Sequence, residues 1–213
     1  MDRQKTVMCF GDSNTWGFPP GCNGERYDRH TRWPGVLQLE LGEDYHVIEE
    51  GLCGRNTVWE DPVEGGKNGL EQLDPLILSH MPLDLLIIML GTNDFKNRFS
   101  VSAQDISWSI GRLVKIARNS GHPLIGDAPE VLVICPPPLA DLSQSPFKGI
   151  LEGAEEKSRQ LPSVLKTFCE ENEIRMFNAG DVVSSSPLDG VHWAPEEHRN
   201  LGVAVAVEVQ NIL

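Results

Sequence analysis

The chain has 213 residues and a formal net charge of −13, with 40% hydrophobic and 23% charged residues. Length and balance suit a single globular domain, residues 1–213, rather than a disordered or fibrous chain. So acidic a surface repels phosphate backbones, which argues against nucleic acid and against anionic membranes as partners.

In chain order, the first apolar segment is 6–10, and a turn-rich stretch follows at 18–31. Residues 33–41 place Val36, Leu37, Leu39 and Leu41 around a short helix ending at Gly42. A second apolar segment, 46–48, precedes another turn-rich stretch at 61–69. The third, 85–90, is wholly aliphatic or Met. Residues 103–119 carry Ile106, Ile110, Leu113, Val114 and Ala117 at helical spacing, with Gly121 as the stop. Segment 131–135 is apolar, 153–171 is a long amphipathic helix, and 175–177 is a brief apolar run. Residues 195–213 close the chain as a helix, with Pro195 suited to a first turn.

Continuous apolar segments fit strands covered on both faces of a parallel sheet. Their alternation with helices predicts βαβ units with right-handed crossovers. The expected fold is α/β: a three-layer α/β/α sandwich around a mostly five-stranded parallel sheet.

The five cysteines, Cys9, Cys22, Cys53, Cys135 and Cys169, form no C-x-x-C pair, so neither a zinc site nor a redox motif is indicated. Free thiols in a reducing compartment are expected. The N-terminal run MDRQKTVMCFGDS lacks the apolar core of an export leader. The longest aliphatic run, 85–90, is far short of a membrane span. A cytoplasmic protein is the expectation.

In an open parallel sheet, chemistry sits at the carboxyl ends of the strands. After the first strand comes Gly11-Asp12-Ser13-Asn14-Thr15-Trp16-Gly17. A serine at the start of a helix can present its hydroxyl to a cleft, although Asp and Ser there more often only cap the helix. The motif is not a G-x-S-x-G elbow, because Thr15 stands at the second glycine. After the second strand, Gly51 and Gly54 allow close backbone approach or a simple turn. After the third comes Gly91-Thr92-Asn93-Asp94, where Asn93 offers an amide donor to a developing oxyanion or serves as a turn residue. Near the end, Asp189-Gly190-Val191-His192 pairs a carboxylate with an imidazole, as a general base and its orienter or as a surface pair. Each motif alone is ambiguous. All four fall where an α/β sheet builds its site.

Together these segments resemble blocks I, II, III and V of the SGNH hydrolases, also called GDSL-type esterases, whose fold is flavodoxin-like. The resemblance spans nearly the whole chain and is nearest the bacterial arylesterase/acyltransferase branch. It includes Arg32-Trp33, Glu49-Glu50-Gly51-Leu52, Met89-Leu90-Gly91-Thr92-Asn93-Asp94 and Pro136-Pro137-Pro138-Leu139. It implies Ser13 as nucleophile, His192 as general base and Asp189 as the group orienting it. It implies an oxyanion hole from the Ser13 and Gly54 backbone N–H groups and the Asn93 side chain, with Gly54 preferred to Gly51. Asn14 departs from the leucine of the family name and is expected at the pocket mouth.

The implied activity is hydrolysis of short-chain aryl or alkyl esters through an acyl-enzyme, with acyl transfer or perhydrolysis when an alcohol or peroxide intercepts it. No metal or cofactor is implied. A carbohydrate O-acetylesterase would use the same machinery. A non-catalytic binding module on the same fold would have no need of all four motifs. Asp12, Trp16 and Trp193 are placed at the substrate pocket, against a loop-fixing role for Asp12 and plain packing for the tryptophans. His30, His46, His80, His122 and His198 lack a carboxylate-loop context and read as structural or solvent-facing. The loops at 18–31 and 61–69 are long for such connections; in the resembled branch loops of this kind pack between subunits of a tetramer or octamer, and the resemblance implies the same here, with a narrowed entrance.

Overall fold

The computed structural model describes residues 3–21 and 24–213. Cys22 lies outside the described residues; Cys9, Cys135 and Cys169 are buried and Cys53 half-buried, all four as free thiols.

Five strands form one sheet: β1 (Lys5–Gly11), β2 (Tyr45–Gly51), β3 (Leu85–Met89), β4 (Glu130–Cys135) and β5 (Arg175–Asn178). All neighbours pair in parallel, in the order β2-β1-β3-β4-β5. The helices are α1 (Ser13–Trp16), α2 (Trp33–Leu41), α3 (Gly69–His80), α4 (Ala103–Arg118), α5 (Ala154–Glu171) and α6 (Pro195–Ile212).

Strand alternation divides the core in two. Val7 and Cys9 of β1 face α2 and α6, packing with Trp33, Leu37, Leu201 and Val205. Met8 and Phe10 face the other way, with Leu73 of α3, Ile106 and Ile110 of α4 and Leu161 of α5. The middle strand β3 is therefore apolar at every position and buried along its whole length, and β1 and β4 depart from this only at their first residues. The three layers match the expectation.

α3 is the element the sequence pattern concealed. Leu70, Leu73 and Ile77 have helical spacing, and the Asn68 side chain caps the helix by accepting from Leu70 N. Pro75 inside the helix and the turn-rich 61–69 preceding it mask that spacing. α4 ends at Arg118, earlier than Gly121, while Ser102 and Asp105 close its start as a capping box.

Chain order reverses at β1, with β2 on one side and β3 on the other. That reversal opens a crevice at the carboxyl ends of β1 and β3. Gly11 and Met89 pair at that edge, so the loops starting at residues 12 and 90 emerge side by side.

Candidate active site

Ser13 is the first residue of α1, a single turn that leaves the tip of β1. The Asp12 side chain caps this turn by accepting from Asn14 N at 2.9 Å. Gly51, at the end of β2, lets α1 approach: a Cβ there would lie 2.2 Å from Trp16 N. Gly51 thus serves backbone packing. Gly54 lies in the following turn, closed by Arg55 N donating to Leu52 O at 3.0 Å. Its φ of +84° favours glycine.

His192 and Asp189 come from the loop between β5 and α6. Asp189 Oδ1 accepts from the N–H groups of Val191 and His192, both at 2.9 Å, which winds the loop around its own carboxylate. Asp189 Oδ2 accepts from Gly21 N at 3.1 Å and pairs with His192 Nδ1 at 2.8 Å. Burial alone would raise the Asp189 pKa, but the His192 side-chain bond and the two backbone donors prevail and hold it at about 2. An ionised carboxylate only accepts. His192 Nδ1 therefore carries the proton, and Nε2 is left as the acceptor for Ser13 Oγ at 3.0 Å. Phe18 and Phe147 pack on the imidazole, with ring centroids 4.6 and 5.6 Å away. This arrangement can draw a proton from a hydroxyl into an imidazole of fixed tautomer, beside a carboxylate that stabilises the resulting cation.

Ser13, Gly54, Asn93 and His192 all line one cleft of about 160 Å³. The Asn93 side chain makes no hydrogen bond within the described residues, so its amide is free to meet a ligand. The apolar lining is completed by Val191 of the His192 motif, by Phe18 at the start of the 18–31 loop, and by three residues that the sequence did not mark, Phe147, Ile150 and Leu151. Phe147, Ile150 and Leu151 come from an irregular segment between β4 and α5, which has no periodicity to read. Two charged residues, Glu64 and Lys96, also reach the cleft. Lys96 follows Asn93 by three positions, and that nearness was the only sequence signal for it.

Three expected pocket residues do not line the cleft. Trp193 is fully buried in the α2–α6 core, 5.3 Å from the His198 ring. Trp16 packs near Phe18 and under the Arg26 guanidinium. Asp12 is a buried cap; burial pushes its carboxyl up to about 6, against the pull of Asn14 N–H, His192, Arg55 and Thr92. The loop-fixing and packing readings hold for these three. Asn14 is likewise buried rather than at the mouth, and its Nδ2 donates to Val191 O at 3.3 Å. That bond ties the Ser13 turn to the His192 loop.

Arg55 braces the strand tips. Its guanidinium donates to Gly11 O at 2.8 Å and to Glu50 O, and lies over the Phe10 ring. Burial lowers its pKa to about 10. Of the other histidines, His80 pairs with Glu50 at 2.8 Å, and His198 is wholly buried.

The model of the GDSL-like lipase/acylhydrolase family matches residues 9–199. The chain belongs to this family. Among solved structures, the aryl esterase of M. smegmatis is 42% identical, with a TM-score of 0.95 over 98% of this chain and 100% of that one. A carbohydrate acetylesterase from Sinorhizobium meliloti is 39% identical, with a TM-score of 0.94 over 98% of this chain and 100% of that one. A second carbohydrate acetylesterase family member from the same organism is 37% identical, at a TM-score of 0.92 over 98% and 99%. A search of curated proteins finds no match. The chain is a carboxylic ester hydrolase of the GDSL family. No helix among the described residues is long and apolar enough to cross a membrane.

Proposed function

We propose that the chain is a serine esterase acting on short-chain acyl esters through an acyl-enzyme. One observation carries this reading: Ser13 Oγ stands 3.0 Å from His192 Nε2, whose Nδ1 is 2.8 Å from Asp189. Ser13 Oγ attacks the ester carbonyl carbon while its proton passes to His192 Nε2. The Ser13 and Gly54 N–H groups and the Asn93 amide hold the tetrahedral oxyanion, each donor contributing about 3 kcal/mol. As the carbon–oxygen bond to the alcohol breaks, His192 returns the proton to the leaving oxygen. The imidazole then takes a proton from water, which attacks the acyl-enzyme carbonyl, and returns it to Ser13 Oγ as the acyl–oxygen bond breaks and the carboxylic acid leaves.

A cleft of about 160 Å³ supports a preference for small acyl groups. Its apolar lining lets an alcohol or a peroxide compete with water for the acyl-enzyme, giving acyl transfer or perhydrolysis. The charged Glu64–Lys96 edge favours a second reading, esters of polyhydroxylated alcohols. We also propose a homo-oligomer, tetramer or octamer, in which neighbours narrow the entrance; Val63, next to Glu64, is 75% exposed and apolar. A single species near 23.6 kDa in light scattering would reject that assembly.

A series of 4-nitrophenyl esters from acetate to octanoate tests the main reading. Rates should fall steeply beyond butyrate, and a serine-reactive phosphonate should label Ser13 alone. A flat chain-length profile would remove the small-pocket argument, and labelling elsewhere would remove Ser13.

A further inference from the structure

The cleft is apolar over most of its lining but carries one ion pair. Lys96 is 4% exposed, and its Nζ donates to Glu64 Oε1 at 2.6 Å and to Asp61 Oδ2 at 3.2 Å. Asp61 is fully buried and also receives Arg98 Nη1 at 2.8 Å, Val63 N at 3.0 Å and Glu64 N at 3.1 Å. The loop before α3 is therefore wound around Asp61 and anchored to the segment that follows Asn93. Glu64 is the residue this anchoring delivers to the cleft.

The two Glu64 oxygens differ. Oε1 is taken by Lys96, with Arg98 Nη2 3.7 Å away. Oε2 accepts no hydrogen bond within the described residues, yet it lies close to Gly54, with which it shares the cleft lining: a Cβ built there would meet it at 2.5 Å. One oxygen is pinned and the other is presented beside an expected oxyanion donor. An ionised carboxylate only accepts, so this half-exposed oxygen exchanges water for any ligand group that brings a donor. The acyl groups that fit so small a cleft, acetyl or propionyl, carry no O–H or N–H. The donor must then belong to the alcohol part of the ester. Lys96 also offsets the Glu64 charge, which would otherwise oppose the negative charge developing on the oxyanion.

We propose that Glu64 is a specificity-determining residue that selects esters whose alcohol part bears a free hydroxyl, with Lys96 as the residue that positions it. This rests on the ester-hydrolase reading above and adds to it the polarity of the preferred alcohol.

The test compares 2-hydroxyethyl acetate with propyl acetate, which share the acyl group and the number of heavy atoms. Wild-type protein should favour the hydroxylated ester by about tenfold in kcat/KM, the scale of one hydrogen bond to a charged group. Glu64→Met should bring the ratio near one. Its fold is secure because Asp61 keeps both Lys96 and Arg98 as partners. Glu64→Gln, which retains one acceptor oxygen, should give an intermediate ratio. Lys96→Met should lower the ratio too, and the double variant should lower it no further than Glu64→Met alone. A merely structural role for Lys96 would instead depress both esters equally. Phenyl acetate separates this idea from the one beneath it. A protein inactive on all three esters overturns the ester-hydrolase reading. One that turns over phenyl acetate but shows the same ratio in wild type and Glu64→Met, or leaves 2-hydroxyethyl acetate untouched, overturns the role of Glu64.

Discussion

Asp94 binds Thr57 through both of its carboxylate oxygens. Thr57 N donates to Oδ1 and Oδ2, each at 3.1 Å, and the Thr57 hydroxyl donates to Oδ1 as well. Asp94 follows Asn93, and Thr57 lies three residues beyond Gly54. This one side chain therefore sets the spacing between the loops that carry two of the proposed oxyanion donors. Asp94→Asn keeps the volume and loses an acceptor, so stability should fall by about 1–3 kcal/mol. With the donors misplaced, kcat should fall about tenfold with KM nearly unchanged. Denaturant unfolding and steady-state kinetics on an aryl acetate check both parts; a rise in KM at constant kcat would contradict the argument.

Ser13→Ala should abolish ester hydrolysis while leaving the melting temperature close to wild type, because the hydroxyl faces the cleft and fills no core volume. Residual activity within tenfold of wild type would exclude Ser13 as nucleophile.

Asp189→Asn tests the tautomer. The amide can still meet His192 but favours the wrong ring proton, and kcat should drop by up to about 10⁴. Asp189 in the folded protein is held at about 2, below the 3.8 of a free aspartate. Its contribution to stability is present above 3.8 and is lost as pH falls toward 2. The variant should accordingly show a flatter stability profile between pH 4 and 2, in the range where unfolding by urea can be followed at each pH.

Asn93→Ala removes one donor from the cleft. The expected loss is about 10²–10³ in kcat with little change in KM, since the contact strengthens only in the transition state. An effect on KM alone would make Asn93 a substrate-binding group instead.

His198 gives a prediction about acid stability. It packs against Trp193 and Tyr27, its Nδ1 accepts from Trp33 N at 3.4 Å, and burial lowers its pKa to about 3 from 6.5. Between those two values the unfolded chain binds the proton and the folded chain does not. Stability from this group is complete above 6.5 and declines as pH falls through the window, by up to about 1.4 kcal/mol per pH unit. Asp12 and Asp94, both raised to about 6 chiefly by burial, act in the opposite sense between 3.8 and 6. Subtracting the stability curve of His198→Phe from that of wild type isolates the histidine; equal slopes between pH 6.5 and 4 would show that His198 is not held neutral.

The layer order and the positions of the site loops were legible along the chain, because strands buried on both faces must be apolar throughout and glycine, Asp and Asn must stand where the chain turns at their tips. Ser13, Gly54 and Asn93 stand just after β1, β2 and β3 for that reason, in motifs whose residue types answer a backbone need and a chemical one together, whereas Asp189 and His192 stand in the long loop that leads into α6. Helix α3 was not legible, since Pro75 and a turn-rich approach contradict its local pattern while burial of Leu73 and Ile77 stabilises it. Only the tertiary structure decided which side chains form the cleft wall. Trp193 and Trp16 are near the motifs in sequence, yet the first is buried in the core and the second packs under Arg26, whereas Phe147 and Ile150 arrive from an irregular segment. Glu64 reaches the cleft because Lys96, thirty-two positions later, anchors it there. A position beside a motif is set by local chain geometry, but the direction of a side chain is set by what packs against it, and those partners are distant in the sequence.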